Sequence, residues 1–121
     1  MLMLSPDTRY LEAWRKISAK LSWDLECVGT LDRALVIQKT RSFPVVIYDC
    51  SPETEEWQQA LTEFCEGNDI PCVVLTSAVI DDGFRDEVIR LRGYDVLRRN
   101  ADEDEVVRAV HSAWLWKHHH V

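Results

Sequence analysis

Residues 45–48 (VVIY) and 72–75 (CVVL) are two unbroken apolar runs rich in β-branched side chains. Neither alternates with polar positions, which is the pattern of a strand buried on both faces. Such strands belong to parallel sheets covered by helices on either side. Each run ends on polar residues, Asp49 in one and Thr76 and Ser77 in the other. Open α/β sheets place ligands and chemistry at the carboxyl ends of their strands. Asp49 is therefore either a functional acid or a loop residue that caps the next helix.

The rest of the chain supplies the helices that such a sheet needs. Leu2, Met3 and Leu4 form a short apolar opening, and Ser5, Pro6 and Asp7 provide helix-start chemistry. Leu11, Trp14, Ile17 and Leu21 follow at helical spacing as one inward stripe. "WDLECVGT" alternates Trp23, Leu25 and Cys27 with Asp24 and Glu26, the period of a half-exposed strand near a sheet edge. Thr30 caps a second helix with Leu31, Ala34, Leu35 and Gln38 inward, stopped by Ser42-Phe43-Pro44. "SPETEEWQQALTEFCEGND" predicts a third helix, started by its hydroxyls and acids, striped by Trp57, Ala60, Leu61 and Phe64, and ended by Gly67-Asn68. "DDGFRDEVIRLRG" predicts a fourth, with Phe84, Val88 and Leu91 inward, and "YDVLRRN" a fifth strand. "ADEDEVVRAVHSAWLWK" predicts a last helix with four acids at its positive end. Its stripe of Val106, Val110 and Ala113 continues to Trp114 or Lys117 at helical spacing, which places Trp114 inward and leaves Trp116 for solvent or a partner. Five strand–helix units imply a doubly wound parallel sheet with right-handed crossovers. Asp49, Thr76 and the Arg98-Arg99 pair then converge on one edge.

A chain of 121 residues fits a single domain spanning residues 1–121, with enough core to need no staple. The four cysteines show no C-x-x-C spacing and read as reduced thiols. No apolar run approaches the ~18 residues of a membrane span, and "MLMLSPDTR" lacks the signature of a signal peptide. The expected location is the cytoplasm. The net charge is -7; residues 49–121 hold seven Lys/Arg against sixteen Asp/Glu, which makes nucleic acid a poor partner. Residues 118–121, the His-rich end, are either a flexible tail or the remnant of a purification tag, and no metal is assigned to them.

With "VVIYD", "CVVLTSA" and "RGYDVLRRN" in place, the chain resembles the receiver domain of bacterial response regulators over nearly its whole length. The resemblance implies a single flavodoxin-like (βα)5 domain of the α/β class, its five-stranded parallel sheet in the order 2-1-3-4-5. It also implies a signalling role in a two-component system or phosphorelay. A histidine kinase or phosphotransfer protein would donate a phosphoryl group to Asp49 as phosphoacceptor, a magnesium ion would assist, and Thr76, Ser77 and Arg99 would contact the phosphate. Thr76 and Val96 stand at the switch positions. Self-association or a partner protein is expected on the face of the fourth helix, fifth strand and last helix.

The sequence also departs from the family pattern. Aligning "SPDTR" on the acid-rich first loop puts Met3 and Leu4 where two metal-binding acids belong, leaving Asp49 and Asp7 as a weak set for Mg²⁺. Arg99 replaces a Lys, Asn100 a Pro, and Val96 the switching aromatic. The alternative role is therefore a phosphorylation-independent pseudo-receiver that works as an interaction module. A catalytic enzyme is disfavoured. Ser51 stands where a dehalogenase-type phosphatase needs its second Asp, neither Cys50 nor Cys72 is followed by a phosphate-loop Arg, and no G-x-G-x-x-G motif is present.

Overall fold

The computed structural model describes residues 1–119. In chain order the elements are β1 (Leu2–Leu4), α1 (Thr8–Lys20), β2 (Glu26–Val28), α2 (Leu31–Arg41), β3 (Val45–Asp49), α3 (Glu56–Phe64), β4 (Cys72–Ser77), α4 (Asp82–Arg90), β5 (Asp95–Arg98) and α5 (Glu103–His119). All strand pairs are parallel, in the order β2-β1-β3-β4-β5. The doubly wound order expected from the sequence is the one observed.

Successive side chains of a strand point to opposite faces, and this divides the core into two layers. Met3, Val45, Ile47, Cys72, Val74 and Leu97 share one face with Leu11 and Trp14 of α1 and Val106, Val110 and Ala113 of α5. Leu4, Val46, Tyr48, Val73, Leu75 and Val96 share the other with apolar residues of α2, α3 and α4. The two central runs are buried throughout, as their lack of alternation requires.

Local chemistry sets the helix ends, with some departures from expectation. Of the helix-start residues, Asp7 caps α1: its carboxylate accepts the Arg9 and Tyr10 N–H groups at 3.0 and 3.3 Å. Thr30 caps α2, Asp81 caps α4, and Asp102 accepts the Glu105 N–H. The third helix is shorter than predicted. Pro52 disfavours helix at Ser51, so residues 50–55 form a loop in which the Thr54 hydroxyl donates to the Ser51 carbonyl. At the other end α3 stops at Phe64, ahead of Gly67.

Two stripe residues need correction. α1 ends at Lys20 and Ser22 takes a left-handed conformation, so Leu21 leaves the inward face and is exposed. Trp114 is also outward, at 46% exposure, because Ala113 takes the inward direction and its neighbour is rotated about 100° away. The stripe continues to Lys117, the other residue at that spacing, which donates to the Asp69 carboxylate at 2.7 Å and the Ile70 carbonyl at 2.8 Å. His118 and His119 extend α5, so the first half of the expected tail is helical, while His120 and Val121 lie outside the described residues. Among the described residues no helix is long and apolar enough to cross a membrane.

Candidate functional site

Strand alternation decides which polar residues meet. Asp49 lies two residues after Ile47, and Thr76 two after Val74, so both point to the α1–α5 face. The ladder continues past β1 and β5 through the Ser5 N–H to Val28 and the Arg99 N–H to Ser77. Ser5 therefore follows Met3, and Arg99 follows Leu97, onto the same face. Four strand ends bring Ser5, Asp49, Thr76 and Arg99 together at the carboxyl edge.

Asp49 is 8% exposed and surrounded by donors. The Ser5 hydroxyl donates to its Oδ2 at 2.7 Å and the Thr76 hydroxyl to its Oδ1 at 3.1 Å. The Arg99 Nε stands 3.1 Å from Oδ1, an ion pair whose N–H is not aligned as a hydrogen bond. The far end of the guanidinium, Nη2, donates to Asp7 Oδ2 at 2.8 Å. Its carbon sits 4.4 Å from the centroid of the Tyr10 ring. The Arg99 hydrogen bond is the main cause holding the Asp7 carboxyl below its ordinary range, helped by the α1 N–H groups. Burial, chiefly, pushes the Tyr10 phenol up, and the nearby Asp49 charge adds to that. Burial and then Asp49 push the Cys50 thiol up to about 12, so Cys50 is an inert neighbour rather than a nucleophile.

Each residue named from the sequence has a defined place. Asp49, Thr76 and Arg99 are together. Ser77 has the opposite parity; its hydroxyl donates to the Val79 carbonyl at 2.9 Å and accepts the Val79 N–H, closing the loop after β4. Arg98 is exposed at the end of β5 on the parity opposite to Arg99, so only one member of the pair reaches the site. Val96 is buried in the layer beneath α4, across the sheet from Asp49. Met3 and Leu4, the residues aligned with the acid pair, are buried strand residues, and Ser5 and Pro6 follow the strand end. Neither is an acid. Ser5 and Tyr10 are the contributors that sequence reasoning missed. Ser5 had a usable signal, since it stands two residues beyond Met3, whereas nothing local marks Tyr10.

The residues present do not fit a magnesium ion. Asp7 spends Oδ1 on the α1 cap and Oδ2 on Arg99, and both Asp49 oxygens already face donors. Among the described residues no group of three or more His, Cys, Asp or Glu could hold a metal. A cavity of about 340 Å³ opens beside Asp49, with Asp7, Cys50, Ser77 and Arg99 in its wall. A second, of about 530 Å³, lies toward α2 and α3 and includes Tyr48, Asp32 and Glu56.

No protein-family model and no curated protein matches the sequence. Solved structures do match the fold. A CheY-like response regulator receiver domain protein from Methanospirillum hungatei JF-1 superposes with a TM-score of 0.86 at 11% identity, covering 99% of this chain and 96% of that one. The signal receiver domain of an HD domain-containing protein from Pseudomonas fluorescens Pf-5 gives 0.84 at 18% identity, with 97% and 87% covered. A response regulator from Thermotoga maritima gives 0.83 at 15%, with 93% and 94% covered. The chain thus has the receiver fold.

Proposed function

We propose that this chain is a receiver-fold signalling module that acts through protein contacts, with its Asp49 site closed by an internal cation. The observation that carries this reading is the Arg99 guanidinium, which pairs with Asp49 and donates to Asp7. Those are the two carboxylates that a divalent ion would need. A cation tethered to the same fold competes with a free one at high effective concentration, and it brings donors that Mg²⁺ would have to displace. Asp49 also has its oxygens engaged by Ser5 and Thr76, which lowers its reactivity toward a phosphoryl donor. Partner contact remains available through exposed apolar residues of α4 and α5, including Ile89, Leu115 and Trp116. In this reading the module is not itself a catalyst.

The test is a magnesium titration followed by intact mass after incubation with a small acyl phosphate, on the wild type, Arg99→Ala and Asp49→Asn. Weak magnesium binding and no adduct on the wild type are the expected results, with binding gained in Arg99→Ala. A wild-type phosphate adduct that Asp49→Asn abolishes would overturn the reading. It would support the second one, in which Asp49 accepts a phosphoryl group from a histidine kinase or phosphotransfer protein and Arg99 answers the added charge. The feature that favours this second reading is the cavity beside Asp49, which puts Arg99 in reach of a phosphoryl oxygen.

A further inference from the structure

Arg99 crosses from the end of β5 to two carboxylates on other elements, and a long side chain does not hold such a position without a surface beneath it. Its contact with Asp49 is the weakly directed one: Nε is near Oδ1 but makes no hydrogen bond. The bond to Asp7 alone would let the guanidinium swing toward solvent about that single point. The Tyr10 ring prevents this by lying under the guanidinium carbon, 4.4 Å away. Tyr10 is in turn fixed by the same acid, since Asp7 Oδ1 accepts the Tyr10 N–H while Oδ2 accepts from Arg99. Cap, ring and cation therefore form one closed unit. The Tyr10 ring also meets the Trp14 indole edge-on, with centroids 6.3 Å apart and planes at 82°. Trp14 is buried in the layer shared with α5.

We propose that Tyr10 is the positioning residue of the Asp49 site: its ring holds Arg99 across Asp49 and Asp7 and passes a change in the Asp49 charge to Trp14 in the α1–α5 layer. The inference rests on the reading of Arg99 as the resident cation. It also assigns the direction of coupling. Asp49 meets Ser5, Thr76 and Arg99, and Arg99 carries the contact on to Asp7 and Tyr10 at the start of α1, whereas Val96 lies on the opposite side of the sheet.

The experiment is a double-mutant cycle between Asp49→Asn and Arg99→Gln, read by urea unfolding in the unchanged chain and in Tyr10→Phe and Tyr10→Leu backgrounds. The expected coupling is about tenfold in the folding constant, within the range of contacting charged pairs. It is retained with Tyr10→Phe, which keeps the ring, and falls to about threefold or less with Tyr10→Leu. If Tyr10→Leu does not fold, Tyr10→Met fills similar volume without a π face and takes its place. In parallel, Asp49→Asn shifts the Trp14 indole N–H resonance in the unchanged chain and in Tyr10→Phe but leaves it still in Tyr10→Leu. Absence of coupling in the unchanged chain overturns the Arg99 reading itself. Full coupling that survives Tyr10→Leu leaves that reading standing and overturns the role of Tyr10.

Discussion

Asp7 serves two partners at once, capping α1 with one oxygen and holding Arg99 with the other. Both contacts favour its charged form, so its folded pKa is depressed. A depressed carboxyl contributes stability that is present above its unfolded pKa, about 3.9, and is lost as pH falls through the folded value. The melting temperature of the wild type should therefore fall more steeply than that of Asp7→Asn as pH drops below about 4. Parallel acid profiles by circular dichroism would show that Asp7 is unpaired in solution. The end of β1 yields a second residue-scale prediction. Leu4 is 3% exposed within the apolar layer of α2 and α3, so Leu4→Asp buries a carboxylate without a partner, at a cost on the order of 3–5 kcal/mol. Ser5→Asp places its acid beside Asp49 instead, and should keep the fold while gaining magnesium affinity only when combined with Arg99→Ala. Equal urea midpoints for Leu4→Asp and the wild type would contradict the register described for β1.

Among the elements, α5 shows how one residue of rotation separates packing from exposure. Ala113 is inward, so the next residue on its stripe is Lys117, and Trp114 stacks on His118 at the surface with ring centroids 3.8 Å apart. Trp114→Ala should cost less than about 1 kcal/mol despite the size of the indole. Lys117→Ala should cost more, about 1.5–3 kcal/mol, because it removes charged hydrogen bonds to Asp69 and the Ile70 carbonyl. Chemical denaturation of the two variants side by side decides between this order and the reverse. The turn from α4 into β5 is tighter. The Gly93 N–H donates to the Val88 carbonyl at 2.8 Å, and a Cβ there would run into Val88 Cγ1 and come within 2.9 Å of that carbonyl oxygen. Backbone cannot yield as a side chain can, so Gly93→Ala should destabilise by about 1–3 kcal/mol. An unchanged melting temperature would mean that the turn relaxes.

For the whole molecule the dominant long-range term is charge. The negative charge gathers in residues 49–121, with acids at Asp81 and Asp82 at the start of α4 and from Asp102 to Glu105 at the start of α5. Mutual repulsion among exposed acids is screened by salt, while the Asp49–Arg99 contact, being largely buried, is screened less. Moderate sodium chloride should therefore raise the calorimetric melting temperature. A fall would show that surface pairs such as Lys20–Glu103 and favourable helix-end charges outweigh the repulsion.

Periodicity is a property of neighbours along the chain, so the sequence by itself determined the element order, the buried central strands and the doubly wound class. Turn and cap residues such as Thr30 and Pro44 act over three or four positions and were legible for the same reason. It also determined that Asp49 and the Thr76-Ser77 pair end their strands. What it left undecided was register, because sliding one strand past another leaves every local pattern intact. Register set Ser5 rather than Leu4 opposite Asp49, turned Arg99 toward it and Arg98 away, and sent Val96 to the far side of the sheet. Tyr10 came to the site only because α1 packs across that face, a matter of helix docking that no spacing within "TRYLEAW" encodes. A side chain's face along its own strand follows from alternation, but which residues it meets there is set by tertiary packing between elements distant in sequence.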